Sequence, residues 1–277
     1  MLWGLLKKVV VADNLAPEVD AIFRNHESLS APTLWVGAVY FAIQIYCDFS
    51  GYSDIAIGTA RLLGFNLTRN FANPYFSRNV GEFWRRWHIS LSSWFRDYVY
   101  IPLGGSRTTK GRYFVNLLAT FTLSGLWHGA NWTFVIWGAL HGLYYLPLVL
   151  RARNRQFTSD VVAAGRWLQT FREAGAVSVT FFLVLIAWVF FRARSLGHAL
   201  DYLHGMFAGG WSMPTNLLGF VYVVGLLSIE WIQREKPHAL EISGLPMPLR
   251  WTIYYLLAIV ILVYRAGNNA SFIYFQF

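Results

Sequence analysis

Residues 113–150 read YFVNLLATFTLSGLWHGANWTFVIWGALHGLYYLPLVL and contain no Lys, Arg, Asp or Glu. Two apolar runs, Tyr113–Leu126 and Trp132–Leu150, flank a short stretch that holds His128. Gly129-Ala130-Asn131 between them is expected to interrupt the helix. Further apolar runs occupy Leu34–Tyr46, Val177–Phe191, Leu217–Ile232 and Trp251–Tyr264. Several are shorter than the ~20 residues that cross a bilayer unaided. They read as spans extended by flanking Trp and Tyr, or as segments buried among other helices. Only 13% of the residues are charged and 56% are hydrophobic, where a soluble domain carries about a quarter charged. The expected fold class is all-α: a polytopic helical membrane protein with re-entrant or interfacial amphipathic helices around a central cavity.

The formal net charge of +9 invites nucleic acid as a partner, but its distribution argues for orientation in a membrane. Eight Lys/Arg fall in Asn66–Arg112, five in Arg151–Arg172 and three in Gln233–Arg250. Arg192–Pro214 and Arg265–Phe277 hold two and one. Counted across the spans from Tyr113 onward, the richer segments share one side. The positive-inside bias makes that side cytoplasmic, with anionic lipid headgroups rather than nucleic acid as the basic surface's partner. A single cysteine, Cys47, excludes an internal disulfide framework and a Cys-based metal site. The opening MLWGLLKKVVVADNLAPEVDAIF runs into acidic residues with no small-residue cleavage signal, so it does not read as a signal peptide.

Between the spans, Phe83, Trp84, Trp87, Leu91, Trp94 and Phe95 recur at three- and four-residue spacing, with Arg85, Arg86, Ser92, Ser93 and Arg96 opposite. The spacing predicts one amphipathic helix, suited to the headgroup layer, with His88 on its apolar side. His88 is then either an interfacial histidine satisfied by backbone or lipid, or a group pointing into a protein cavity. Upstream, in QIYCDFSGYSDIAIG, Gly51 separates Asp48 and Asp54 and weakens a continuous helix. The two carboxylates read as helix-end groups or as the lining of a re-entrant break.

Ionisable groups inside spans are costly and face a bundle interior or an aqueous cavity. Histidine is the cheapest of them because it can be buried neutral. His128 is therefore compatible with a structural role, or with a general base for a hydroxyl attacking a thioester or ester. His141 lies 13 residues further on, which turns it away from His128 on a continuous helix and argues against a shared metal. Ser124, one turn before His128, reads as a packing residue rather than a nucleophile.

The stretches FWRRWHISLSSWFRDYVYIPLGG and GLWHGANWTFVIWGALHG, preceded by LLKKVVVADNLA, QIYCDFSGYSDIAIG and NFANPYFS, resemble the membrane-bound O-acyltransferases, most closely the branch similar to alginate O-acetyltransferases. The motifs cover residues 4–142 of what reads as a single membrane-embedded acyltransferase domain over 1–277, with additional spans in 175–277. The resemblance implies an enzyme of a bacterial inner membrane, multi-pass. It would move an acyl group, most simply acetyl from acetyl-CoA on the cytoplasmic side, towards an exported polysaccharide such as alginate or a periplasmic acetyltransferase partner. It puts the family's histidine on His128, as base or acyl-positioning group, and its second polar position on His88. Arg85, Arg86 and Arg96 become candidates for the acyl donor's phosphates, with lipid phosphates as their other reading. No metal and no permanently bound cofactor are implied. Relatives are usually longer, so the chain is expected to correspond to a C-terminal part or a shortened form. D-alanyl transfer to teichoic acid from a carrier-protein thioester, and a membrane transporter without catalysis, remain the competing readings.

Overall fold

The computed structural model describes residues 1–153, 156–158, 160–214 and 216–264. Among them every regular element is helical. In chain order these are α1 (Leu2–Leu5), a π-helical stretch (Leu6–Ala12), α2 (Asp13–Arg24), α3 (Ala31–Leu62), α4 (Val80–Arg86) and α5 (Ile89–Phe95). A second π-helical stretch (Arg96–Tyr100) leads to α6 (Lys110–His128), α7 (Trp132–Leu150), α8 (Phe171–Arg192), α9 (Leu196–Ala208), α10 (Gly219–Ile232) and α11 (Met247–Val263). The chain divides into two compact units, Asn70–Leu203 and the remainder on either side of it.

The expected apolar runs all coincide with helices, Leu217, Leu218 and Tyr264 falling just outside α10 and α11, and α7 and α8 are long and apolar enough to cross a membrane. Two helical regions are not among the apolar runs, the N-terminal Leu2–Arg24 and α9, because charged and polar residues interrupt them. Arg192–Pro214, read as a connecting segment, contains the whole of α9. Arg265–Phe277 lies outside the described residues.

In the first unit α3 runs unbroken through Asp48, Gly51 and Asp54, so neither a helix end nor a re-entrant break occurs there. The carboxylates are held by lysines from the π-helical stretch. Lys7 Nζ contacts Asp54 Oδ2 at 2.8 Å and donates to Ser50 Oγ at 2.8 Å. Lys8 Nζ lies 2.6 Å from Asp48 and 2.8 Å from Asp13. Gly51 serves close packing instead of flexibility: a Cβ there would stand 2.8 Å from the Gly4 carbonyl oxygen. A buried charge is tolerated when an opposite charge and hydrogen bonds replace its water. The sequence pattern shows the charges but not their partners, which lie some 40 residues away along the chain.

In the second unit α6 and α7 form an antiparallel hairpin. Its turn falls at Gly129–Asn131, as expected, and the Asn131 side chain caps α7 by accepting from the Thr133 N–H at 3.1 Å. Thr109 caps α6 in the same way. α8 opens on a capping box in which Thr170 and Glu173 exchange bonds with each other's backbone. The hairpin closes tightly because glycines face each other's backbone: a Cβ on Gly125 would meet the Phe134 carbonyl, and one on Gly138 the Phe121 carbonyl.

Gly125→Ala and Gly138→Ala should therefore each lower the melting temperature of the detergent-solubilised chain by several degrees. Gly111→Ala, in the same helix but with open space around it, should leave it unchanged. Equal melting of all three would show that the hairpin does not depend on this backbone contact.

Candidate active site

The segment expected to be one helix through residues 83–95 is two. α4 ends at Arg86, Trp87 is extended, and His88 adopts the left-handed conformation with φ 43° and ψ 56° before α5 begins. The cause is a competing set of backbone partners. The Arg86 carbonyl accepts from Ala72 N–H at 2.9 Å, Ile89 N–H donates to the Asn70 carbonyl at 3.0 Å, and Asn70 Oδ1 accepts from Ser90 N–H and Oγ–H at 3.1 and 2.7 Å. Two short helices in succession preserve a three- and four-residue recurrence of aromatics, so periodicity could not reveal the break. A left-handed histidine costs about 1–2 kcal/mol, which the surrounding bonds offset.

His88 therefore does not belong to a helix face. It stands at the position before α5, at the hinge, 9% exposed, with its ring near Phe71 and Trp127 at centroid distances of 6.4 and 6.5 Å. Burial pushes its imidazole down to about 4, so it is neutral near pH 7. Part of the expected apolar side is core: Phe83 and Trp87 are 1% and 2% exposed, and Trp87 packs on Trp188 with ring centroids 5.0 Å apart, whereas Trp94 is exposed.

His128 is the last residue of α6. Its half-buried ring stands against Trp127, Trp137 and Phe191, at centroid distances of 5.0, 5.2 and 5.1 Å. Trp127 thus neighbours both histidines, although 39 and one residues separate it from them in sequence.

Beside them lies a cavity of about 510 Å³. Arg85 and Arg96 line it, with Trp84, Tyr145, Thr120 and Ser124 among the others. Neither His88 nor His128 is part of that lining. The wall stops at Ile89, one residue past His88, and at Ser124, one helical turn before His128. Ser124, 6% exposed, faces this space as well as packing within the hairpin. The three arginines have separate fates. Arg86 bonds Glu82 at 2.8 Å and the Ala72 carbonyl at 3.1 Å, and takes no part in the cavity wall. Arg85 donates to the Gln156 carbonyl at 2.6 Å. Arg96 is exposed and paired with its neighbour Asp97. Sequence reasoning missed Trp84 as a cavity residue, because it stood as one aromatic among six on an assumed helix face.

A sequence profile of the membrane-bound O-acyltransferase family matches residues 1–164. The chain is similar to a probable alginate O-acetylase AlgI of Azotobacter vinelandii, 45% identical over 214 residues that cover 76% of this chain and 40% of the relative. A protein of the same description from Pseudomonas aeruginosa is 44% identical over 237 residues, covering 83% and 42%. A peptidoglycan O-acetyltransferase of Helicobacter pylori is 43% identical over 206 residues, covering 73% and 37%. The chain spans about 40% of the length of these curated relatives.

The depressed titration of His88 carries a signed consequence. An unfolded histidine takes up its proton near pH 6.5, whereas the folded one waits until about 4. In that window the unfolded chain binds more protons, so stability falls as pH is lowered from 6.5 to about 4. Melting temperatures over that range should fall less steeply in His88→Gln than in the unmodified chain. Parallel slopes would contradict the burial of His88.

Proposed function

Because the chain belongs to the membrane-bound O-acyltransferase family, we propose that it transfers an acyl group, in the simplest case acetyl from acetyl-CoA, to hydroxyls of an exported polysaccharide such as alginate. The reading places the chain in a bacterial inner membrane as a multi-pass protein, with the basic Asn66–Arg112 segment on the cytoplasmic side. The observation that supports it best is the cavity whose wall carries Arg85 and Arg96 and ends one turn from His128. Guanidinium groups suit the phosphates of an acyl donor, and a donor entering past them has its thioester directed towards the histidine pair. Arg86, committed to Glu82, is the least suited of the three to that task.

In the reaction, a neutral His128 nitrogen takes the proton of the acceptor hydroxyl as its oxygen attacks the thioester carbonyl carbon. That attack forms the new C–O bond and a tetrahedral intermediate, whose collapse re-forms the carbonyl and cleaves the C–S bond. The departing thiolate then recovers the proton from His128. The aromatic rings around His128 limit water, which would otherwise compete as the acceptor. His88, held neutral by burial, acts beside it as a polar partner near the donor. An exported polymer, or a periplasmic protein that passes the acetyl group on, completes the transfer.

Membranes carrying the unmodified chain should transfer label from acetyl-CoA to polysaccharide ester. His128→Ala should lower this by about 10²-fold or more, within the range of a lost general base, with the protein still present in the membrane. His88→Ala should lower it less. Transfer from a D-alanyl carrier protein but not from acetyl-CoA would favour the teichoic acid reading, and unchanged ester formation in His128→Ala would sink the mechanism.

A further inference from the structure

His141 takes no part in the reaction above, yet it is one of the most enclosed polar groups in its unit. Its ring is 0% exposed and stacks on Phe83 at a centroid distance of 6.1 Å and an interplanar angle of 2°. Trp84 and Trp137 stand edge-on to it at 4.9 and 5.1 Å. Its Nδ1 accepts a hydrogen bond from Trp84 Nε1–H at 3.2 Å. That bond requires an unprotonated Nδ1, which leaves the hydrogen of the neutral ring on Nε2. Among the described residues Nε2 has no partner. A phenylalanine here would fill the space without an orphaned donor, so the hydrogen bond to Trp84 is the one contact that specifically calls for an imidazole.

Trp84 lines the cavity next to Arg85. An indole has a single donor and no acceptor, so its hydrogen bond to a fixed acceptor sets the rotation of the ring. Trp137, which touches both His141 and Trp84, also touches His128. We infer that His141 is a positioning residue: through Trp84 it fixes the cavity wall that meets the acyl donor and, through Trp137, its distance from His128. The inference rests on the reading of that cavity as the donor site.

His141→Phe removes the acceptor and keeps the ring, His141→Asn restores an acceptor near the Nδ1 position, and Trp84→Phe identifies the Trp84 signal. Indole ¹H–¹⁵N spectra of the detergent-solubilised chain should show the Trp84 resonance shifting in His141→Phe and returning in His141→Asn. The KM for acetyl-CoA should rise about tenfold in His141→Phe, the effect of one lost hydrogen bond, with kcat within about twofold, and should recover in His141→Asn. A Trp84 resonance that stays in place in His141→Phe, or equal kinetic loss in Phe and Asn variants, overturns the inference. Absence of acetyl transfer by the unmodified chain would overturn the transfer reading instead, leaving the indole shift to decide the role of His141.

Discussion

The backbones of α6 and α7 touch at Gly125 and Gly138, and that contact places His128 against the rings that α7 supplies. With no Cβ between them, the hairpin brings the last turn of α6 against the first half of α7. His128 and Trp137 thereby come within ring contact across a turn of three residues. In hydrocarbon there is little hydrophobic gain from packing one apolar helix on another, so close approach through small residues is the main source of attraction. A larger residue at either glycine would move the histidine and the aromatic rings that enclose it together.

The second device is the left-handed hinge at His88. Two backbone bonds, from Ala72 N–H to the Arg86 carbonyl and from Ile89 N–H to the Asn70 carbonyl, hold it together with the Asn70 side chain. They turn what reads as one amphipathic helix into two, sending Phe83 and Trp87 into the core and leaving Trp84, Arg85, Ser92 and Arg96 on the cavity. Strain of this kind persists where the surroundings over-determine it and is a recurrent feature of functional sites. The π-helical stretch Arg96–Tyr100 follows directly and adds Tyr100 to Arg96 on the cavity, a widened helix where local regularity gives way to the shape of the wall.

Charge is handled differently in the other unit. Lys7 and Lys8 leave a widened helix to meet Asp54 and Asp48 in the middle of α3, and Tyr46 donates to Glu230 at 2.6 Å. Each of these three pairs joins side chains from different helical segments. Removing one side of such a pair costs on the order of 3–5 kcal/mol, so the pairs set the register of the N-terminal helix against α3.

Much of this was legible in the amino-acid sequence. Apolar runs without charges require helices, because a backbone in hydrocarbon must satisfy its own polar groups, and the Gly-Ala-Asn interruption after His128 could only be a turn. His128 stood out because a polar ring in an uncharged apolar stretch is costly, whereas His88 was singled out by the family resemblance. What the sequence could not express was partnership between distant residues. The spacing of aromatics around His88 is the same for one helix or two, and only the bonds to Asn70 and Ala72 decide between them. The role of Asp48 and Asp54 depended on lysines 40 and more residues away, and that of His141 on an indole 57 residues earlier. Composition and periodicity determine which segments are helical and apolar, since those are properties of neighbours in the chain. Hydrogen bonds and ring contacts between remote segments exist only once the helices have packed, so the hinge, the cavity wall and the neighbours of each histidine were decided by the tertiary structure.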